Sequence, residues 1–183
     1  MSAFEIHIQG LVQGVGFRPF IARLACELKL NGWVKNQFNT VVIRVSGNEP
    51  DIKWFIAQIQ SRRPEGAKIH SLKYSQVKFE PYKGFSILES DQYQANGEIP
   101  KDIAPCKVCR SEILDPNNRR YMYPFTNCSE CGPRFSLLDS PPFDRANTAM
   151  KAFKLCPICA SEYESMEDRR FYAQTICCSA CGP

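Results

Sequence analysis

Two patterns in the 183 residues predict an α+β fold joined to a small, irregular metal-binding region. Over residues 1–91, alternating apolar runs exchange with helix-period runs in the order β-α-β-β-α-β. After residue 100 come nine of the ten cysteines, eight of them in CxxC pairs, with many prolines and little apolar periodicity. The simplest packing of the first pattern is an antiparallel sheet with both helices on one face, the ferredoxin-like arrangement.

Phe4, Ile6 and Ile8 alternate with polar residues and set a first strand at 3–9. Phe17, Phe20, Ile21, Leu24 and Leu28 recur at helical spacing, so a helix is expected over 17–30, with Pro19 in its first turn and Asn31-Gly32 as its stop. Trp33 and Val34 begin a second strand ending near Asn36, and residues 37–40 turn the chain into a third strand at Val41, Ile43 and Val45. Beyond a break from Gly47 to Asp51, Ile52, Phe55, Ile56 and Ile59 mark a second helix, which Arg62 to Gly66 ends. Residues 68–79 alternate as a strand, and Phe85 with Ile87 gives a last short one. A polar linker is expected over 92–104, with a second domain at 105–183.

The turn between the first strand and helix reads Gly10-Leu11-Val12-Gln13-Gly14-Val15-Gly16-Phe17-Arg18. Three glycines permit positive φ and let backbone N–H groups turn inward. Amides gathered before a helix N-terminus, followed by an arginine fork, make an anion site. A glycine-rich turn with an incidental arginine fits the loop alone equally well. It lacks the Lys-Ser/Thr ending of a Walker motif and the third glycine of a dinucleotide fingerprint. Asn36, at the second strand's end, either caps a turn or holds a water through its donor and acceptor. His7 and His70 lie within strands and are expected to be structural.

The cysteine region is a repeat. Residues 106–133 and 156–183 are offset by 50, and 11 of 28 aligned positions are identical. Each unit reads C-x2-C-x18-C-x2-C, with Cys106, Cys109, Cys128 and Cys131 in one and Cys156, Cys159, Cys178 and Cys181 in the other. Four thiolates at this spacing suit tetrahedral zinc and leave no open position, so two structural Zn²⁺ ions are expected, and metal binding supplies much of the folding free energy. Redox CxxC chemistry does not account for four pairs in two matched repeats. Cys177 aligns with Asn127 and is expected to be a bystander, as is Cys26.

The formal charge of +4 falls to about zero once eight thiolates hold two Zn²⁺. That weakens a nucleic-acid reading of Arg119/Arg120, Arg169/Arg170 and their aromatic neighbours; a packing role is favoured. No apolar run approaches the roughly 18 residues of a spanning helix. With a strand starting almost at the N-terminus, a cytoplasmic protein without membrane contact is expected.

The strings GLVQGVGFR, GWVKN, TVVIRVSG and GFSI together resemble an acylphosphatase. The resemblance implies that Gln13, Gly14, Val15, Gly16, Phe17 and Arg18 bind the phosphate of a carboxyl-phosphate anhydride, and that Asn36 orients the attacking water. Adding the two C-x2-C-x18-C-x2-C units and the strings RRYMYPFTNCSECGPRFSLLDSPPFDR and DRRFYAQ, the whole chain is similar to the N-terminal part of the HypF-type carbamoyltransferases that mature [NiFe] hydrogenases. Such members hydrolyse carbamoyl phosphate, adenylate the carbamate with ATP, and carbamoylate the C-terminal cysteine of a HypE partner, the source of the iron's cyanide ligands. They continue for several hundred residues, so this chain is expected to be a fragment holding the hydrolytic step, with ATP chemistry in absent domains. The alternative is a zinc-dependent partner-binding module with a vestigial loop.

Overall fold

The alternation at Phe4, Ile6 and Ile8 carries a strand, β1, over Ser2–Leu11 in the computed structural model, which describes residues 1–91 and 101–183. The expected linker at 92–104 falls largely outside the described residues. β1 pairs antiparallel with β3 (Thr40–Gly47), setting Phe4 opposite Val45, Ile6 opposite Ile43 and Ile8 opposite Val41. That register puts both apolar sets on one face. β2 (Asn31–Gln37) pairs with β3, and β4 (Lys68–Val77) pairs with the other side of β1. Helices α1 (Phe17–Glu27) and α2 (Glu49–Ser61) pack on each other and on the sheet, burying Ile21, Leu24, Ile52, Phe55 and Ile59. Each such side chain contributes roughly 1.5–3 kcal/mol.

The sheet order is β4-β1-β3-β2-β5. Its first four strands are the expected ferredoxin-like sheet, antiparallel throughout. The last strand, β5 (Phe85–Ile87), departs from that expectation by running parallel to β2. Its backbone bonds, Gly32 N–H to the Gly84 carbonyl and Leu88 N–H to the Val34 carbonyl, both at 2.9 Å, use the free edge of β2.

Helix α1 stops before the expected residue 30. Lys29, at φ 54°, takes the left-handed position that usually goes to glycine. Around it Leu30 N–H bonds to the Ala25 carbonyl at 2.9 Å and Lys29 N–H to the Cys26 carbonyl at 3.0 Å, a Schellman closure. Asn31-Gly32 therefore opens β2 instead of ending the helix.

Two compact units result. One holds Met1–Gln13 and the described residues from Phe17 to Asp91; the other holds Gly14–Gly16 and the described residues from Lys101 onward. In the second unit each repeat forms a short helix directly after its first cysteine, α3 (Lys107–Leu114) and α4 (Pro157–Glu164), which the sparse periodicity had hidden. Each repeat then places a residue at positive φ, Met122 (55°) and Tyr172 (53°), with its N–H bonded back to Ile113 and Tyr163. No helix among the described residues is long and apolar enough to cross a membrane.

Gly32 sits at φ 143°, and a Cβ there would lie 1.9 Å from the Arg44 carbonyl oxygen. Gly32→Ala is expected to cost about 3 kcal/mol of stability, since both strain and a backbone clash must be relieved. Urea unfolding of the full chain measures it; a loss below about 0.5 kcal/mol, the range of neutral surface changes, contradicts the close approach.

Candidate functional site

The loop begins where the sheet loses its regular ladder. The β1–β4 register shifts between Gln9 and Gly10, and Gly10 takes φ 137° with no room for a Cβ against the Lys68 carbonyl. Gly14 (φ 68°) and Gly16 (φ 74°) then turn the chain in the left-handed region. Gln13 Nε2 donates to the Phe38 carbonyl at 2.9 Å, fastening the start of the loop to the β2–β3 turn. Phe17 is buried and packs against Phe20, so its side chain serves the core. In the second unit, the buried Arg134 donates to the carbonyls of Gly14, Ser129 and Cys131. A Cβ on Gly16 would come within 2.9 Å of the Ser129 carbonyl oxygen.

Arg18, second in α1, is 8% exposed; Asn36, next to last in β2, is 2% exposed. The structure brings the two together through a residue that the sequence reading missed. Arg18 Nη1 donates to Ser90 Oγ at 3.1 Å, and Asn36 Nδ2 donates to the same oxygen at 3.2 Å. Asn36 Oδ1, by contrast, is buried with no hydrogen-bond partner. A buried acceptor without a protein partner is one that a water or a bound ligand can fill. Ser90 gave no sequence signal because it follows the last apolar pair and belongs to no periodic element. Its place comes from the backbone, where the Leu88 and Asp91 N–H groups bond to the Val34 and Asn36 carbonyls. Lys35 Nζ also pairs with Asp91 at 3.0 Å. His7 and His70 are exposed on their strands, His7 beside Glu5 at 2.9 Å.

The eight paired cysteines gather in two tetrads, Cys106/Cys109/Cys128/Cys131 and Cys156/Cys159/Cys178/Cys181, the sulfurs of each lying within 4.8 Å of one another. A tetrahedron with Zn–S bonds of about 2.3 Å has edges of about 3.8 Å. Cys128–Cys131, Cys156–Cys178 and Cys178–Cys181 stand at 3.6, 3.8 and 3.7 Å. The donor set fits zinc. Cys177 lies outside the tetrads, receiving a hydrogen bond from the Tyr123 hydroxyl at 3.3 Å, and Cys26 is exposed on α1. Hydrogen bonding from Cys109 lowers the Cys131 thiol to about 3, and a backbone bond from Cys159 lowers Cys156 to about 6. The hydrogen bonds to Cys128 and Cys131 in turn raise the Cys109 thiol, and burial raises Cys159, so a metal must still displace protons from each tetrad.

The arginine pairs cross between the repeats. Arg119, from the first, donates to Cys178 Sγ at 3.0 Å and to Cys156 and Cys159 at 3.4 Å. Arg169, from the second, donates to Cys106 and Cys109 at 3.0 and 3.1 Å. Their neighbours Arg120 and Arg170 are buried and pair with Glu162 and Glu112 of the opposite repeat. Burial alone would raise the Glu162 carboxyl, but the hydrogen bond and charge of Arg120, with Arg170 and Arg119 behind, hold it below its ordinary value. These guanidiniums make their contacts inside the unit, to cysteine sulfurs, carboxylates and carbonyls.

Comparison with known proteins is consistent with both halves. The acylphosphatase family model matches residues 4–87, and the HypF finger model matches 106–138 and 155–183. The chain is 44% identical over 134 residues to a probable carbamoyltransferase HypF of Methanocaldococcus jannaschii, covering 72% of this chain and 18% of that protein. It is 40% identical over 87 residues to an acylphosphatase of Moorella thermoacetica, 46% of this chain and 89% of that one. A crystal structure of full-length HypF in a phosphate- and nucleotide-bound form superposes with a TM-score of 0.92 at 42% identity, covering 99% of this chain and 24% of the other. The chain thus spans about a fifth of the HypF relatives it matches.

The cross-repeat bonds predict an asymmetric lesion. Arg119→Ala is expected to weaken metal at Cys156/Cys159/Cys178/Cys181 by about 10-fold or more, while Arg169→Ala weakens the other tetrad. Chelator competition followed by thiol alkylation and peptide mass mapping shows which cysteines open first. Labelling of Cys106, Cys109, Cys128 and Cys131 ahead of the others in Arg119→Ala contradicts the crossing.

Proposed function

Residues 4–87 place the chain in the acylphosphatase family and its two cysteine repeats are HypF fingers, as in the N-terminal region of HypF carbamoyltransferases, and on that premise we propose that it hydrolyses an acyl phosphate, with carbamoyl phosphate as its substrate. The observation that carries this reading is the buried Arg18–Ser90–Asn36 group with its open Asn36 acceptor.

In the proposed reaction the N–H groups of residues 13–18 and the Arg18 guanidinium hold the phosphoryl oxygens, where charge is spread in the transition state. Asn36 Oδ1 accepts a hydrogen bond from one water and turns its lone pair toward phosphorus. The new bond joins water oxygen to phosphorus as the bond from phosphorus to the carbamate oxygen breaks. The carbamoyl phosphate dianion and water become carbamate and dihydrogen phosphate, which keeps both protons of the water. Carbamate leaves as an anion, so no strong general base is needed near the loop.

Zinc in the two tetrads would hold the second unit's fold and leave this step to the loop, because four protein thiolates would close its coordination. In a full-length protein the carbamate would pass to ATP-dependent adenylation and then to the C-terminal cysteine of a HypE-type partner. Both steps are proposals for segments outside this chain.

Arg18→Ala is expected to reduce phosphate release from carbamoyl phosphate by about 10²–10³-fold, and Asn36→Ala by about 10²-fold, with circular dichroism unchanged. Full activity in Arg18→Ala overturns the assignment. A wild-type chain that holds two zincs, turns over neither carbamoyl nor acetyl phosphate, and binds a maturation partner is instead a docking module.

A further inference from the structure

We propose that Ser90 is a positioning residue, whose one hydroxyl oxygen decides which way the Asn36 carboxamide faces. The proposal rests on the hydrolase reading of the same site and adds a third residue to it. Ser90 lies beyond residues 4–87, the segment matched by the acylphosphatase family, so that match assigns it no role.

A hydroxyl oxygen has two lone pairs. Here one takes Arg18 Nη1 at 3.1 Å and the other takes Asn36 Nδ2 at 3.2 Å. A carboxamide has almost the same shape in its two orientations, so its facing is set by its partners. With Nδ2 tied to Ser90, Oδ1 points the opposite way and stays open. The same oxygen links the amide to the guanidinium, so the water-orienting and phosphate-holding groups share one anchor.

The anchor is itself held in place. Ser90 is buried, and the residues around it follow β2 beyond the end of β5. Leu88 N–H bonds to the Val34 carbonyl at 2.9 Å, Asp91 N–H to the Asn36 carbonyl at 3.2 Å, and Lys35 clamps Asp91 at 3.0 Å. Ser90 and Asn36 thus ride on one backbone ladder, which limits how far their side chains can drift apart.

The test compares Ser90→Ala, Ser90→Thr and Asn36→Ala, singly and with Ser90→Ala and Asn36→Ala combined, in the full chain. Ser90→Ala is expected to lower kcat for acetyl or carbamoyl phosphate by about 10-fold, the loss of one aligning hydrogen bond compounded by misorientation. Ser90→Thr keeps the oxygen and should remain within about 3-fold of wild type. In the Asn36→Ala background the effect of Ser90→Ala should shrink below about 2-fold, because the two residues act as one unit. An equal fold loss in both backgrounds means a merely structural role and overturns the proposal. A second readout needs no turnover: the Asn36 side-chain amide protons, followed by NMR, should exchange with solvent about 10-fold faster in Ser90→Ala. Unchanged exchange overturns the proposal even if kcat falls. Faster exchange in a wild-type background that hydrolyses nothing sustains the positioning role and rejects the hydrolase reading.

Discussion

Arg120 and Arg170 are almost entirely removed from water, at 2% and 3% exposed. A guanidinium in that position costs several kcal/mol unless carboxylates and carbonyls surround it. Each finds its partners in the other repeat: Arg120 uses Glu162 and the Cys177 carbonyl, and Arg170 uses Glu112 and the Asn127 carbonyl. The second unit has few apolar side chains to spend on a core of its own. Its small clusters are built largely from the cysteines themselves. Charge matched across the repeats does what apolar burial does in the first unit. It also explains why neither repeat is complete alone, since the cations beside each thiolate tetrad come from its sister.

The first unit obeys the same rule with one exception. Its polar burials at Arg18, Ser90 and Ser46 have partners, and Asn36 Nδ2 does too. Asn36 Oδ1 does not. Among the described residues of this unit it is the buried side-chain oxygen without a protein partner, and it belongs to the residue whose amide nitrogen shares Ser90 with the buried Arg18. A site that must receive a water and an anion needs such an opening. Asn127 Oδ1, buried and open in the second unit, shows that the exception alone is insufficient. It lies in no glycine-rich loop, and its amide nitrogen bridges two carbonyls at 2.8 and 2.9 Å.

What the sequence could show follows from which forces leave a local trace. Period-two alternation at Phe4, Ile6 and Ile8, and at Val41, Ile43 and Val45, gave strands of the right kind because one face is buried throughout. The C-terminus of α1 was misplaced, since Lys29 occupies a left-handed position that usually signals glycine. The cysteine tetrads were legible because metal geometry demands fixed spacing. The identical Arg-Arg pairs were visible as a repeat, but alignment cannot show that each serves the opposite tetrad; that is a property of how two copies pack. Ser90 was invisible for a related reason. Its place comes from a backbone ladder that joins Leu88 to Val34, 54 residues apart in sequence, and no short-range pattern records it.

The chemistry assigned to the first unit also accounts for what is lacking around it. His7 and His70, the obvious general bases, sit exposed on their strands, and each tetrad offers four cysteine sulfurs, which would leave a bound metal no free position. For an ester or an amide this would be a poor inventory, because the leaving group needs a proton and the nucleophile needs a base. For a carboxyl-phosphate anhydride the inventory is enough. The leaving group is already a stable anion, the attacking water can keep both protons on the phosphate product, and the barrier lies mainly in gathering charge and orienting one water. In the proposed reaction a buried arginine, a loop of amides and a carboxamide held by its nitrogen supply those two needs. Among carboxyl phosphates the arrangement sets no preference by itself; the HypF fingers that follow in the chain are what direct the reading to carbamoyl phosphate.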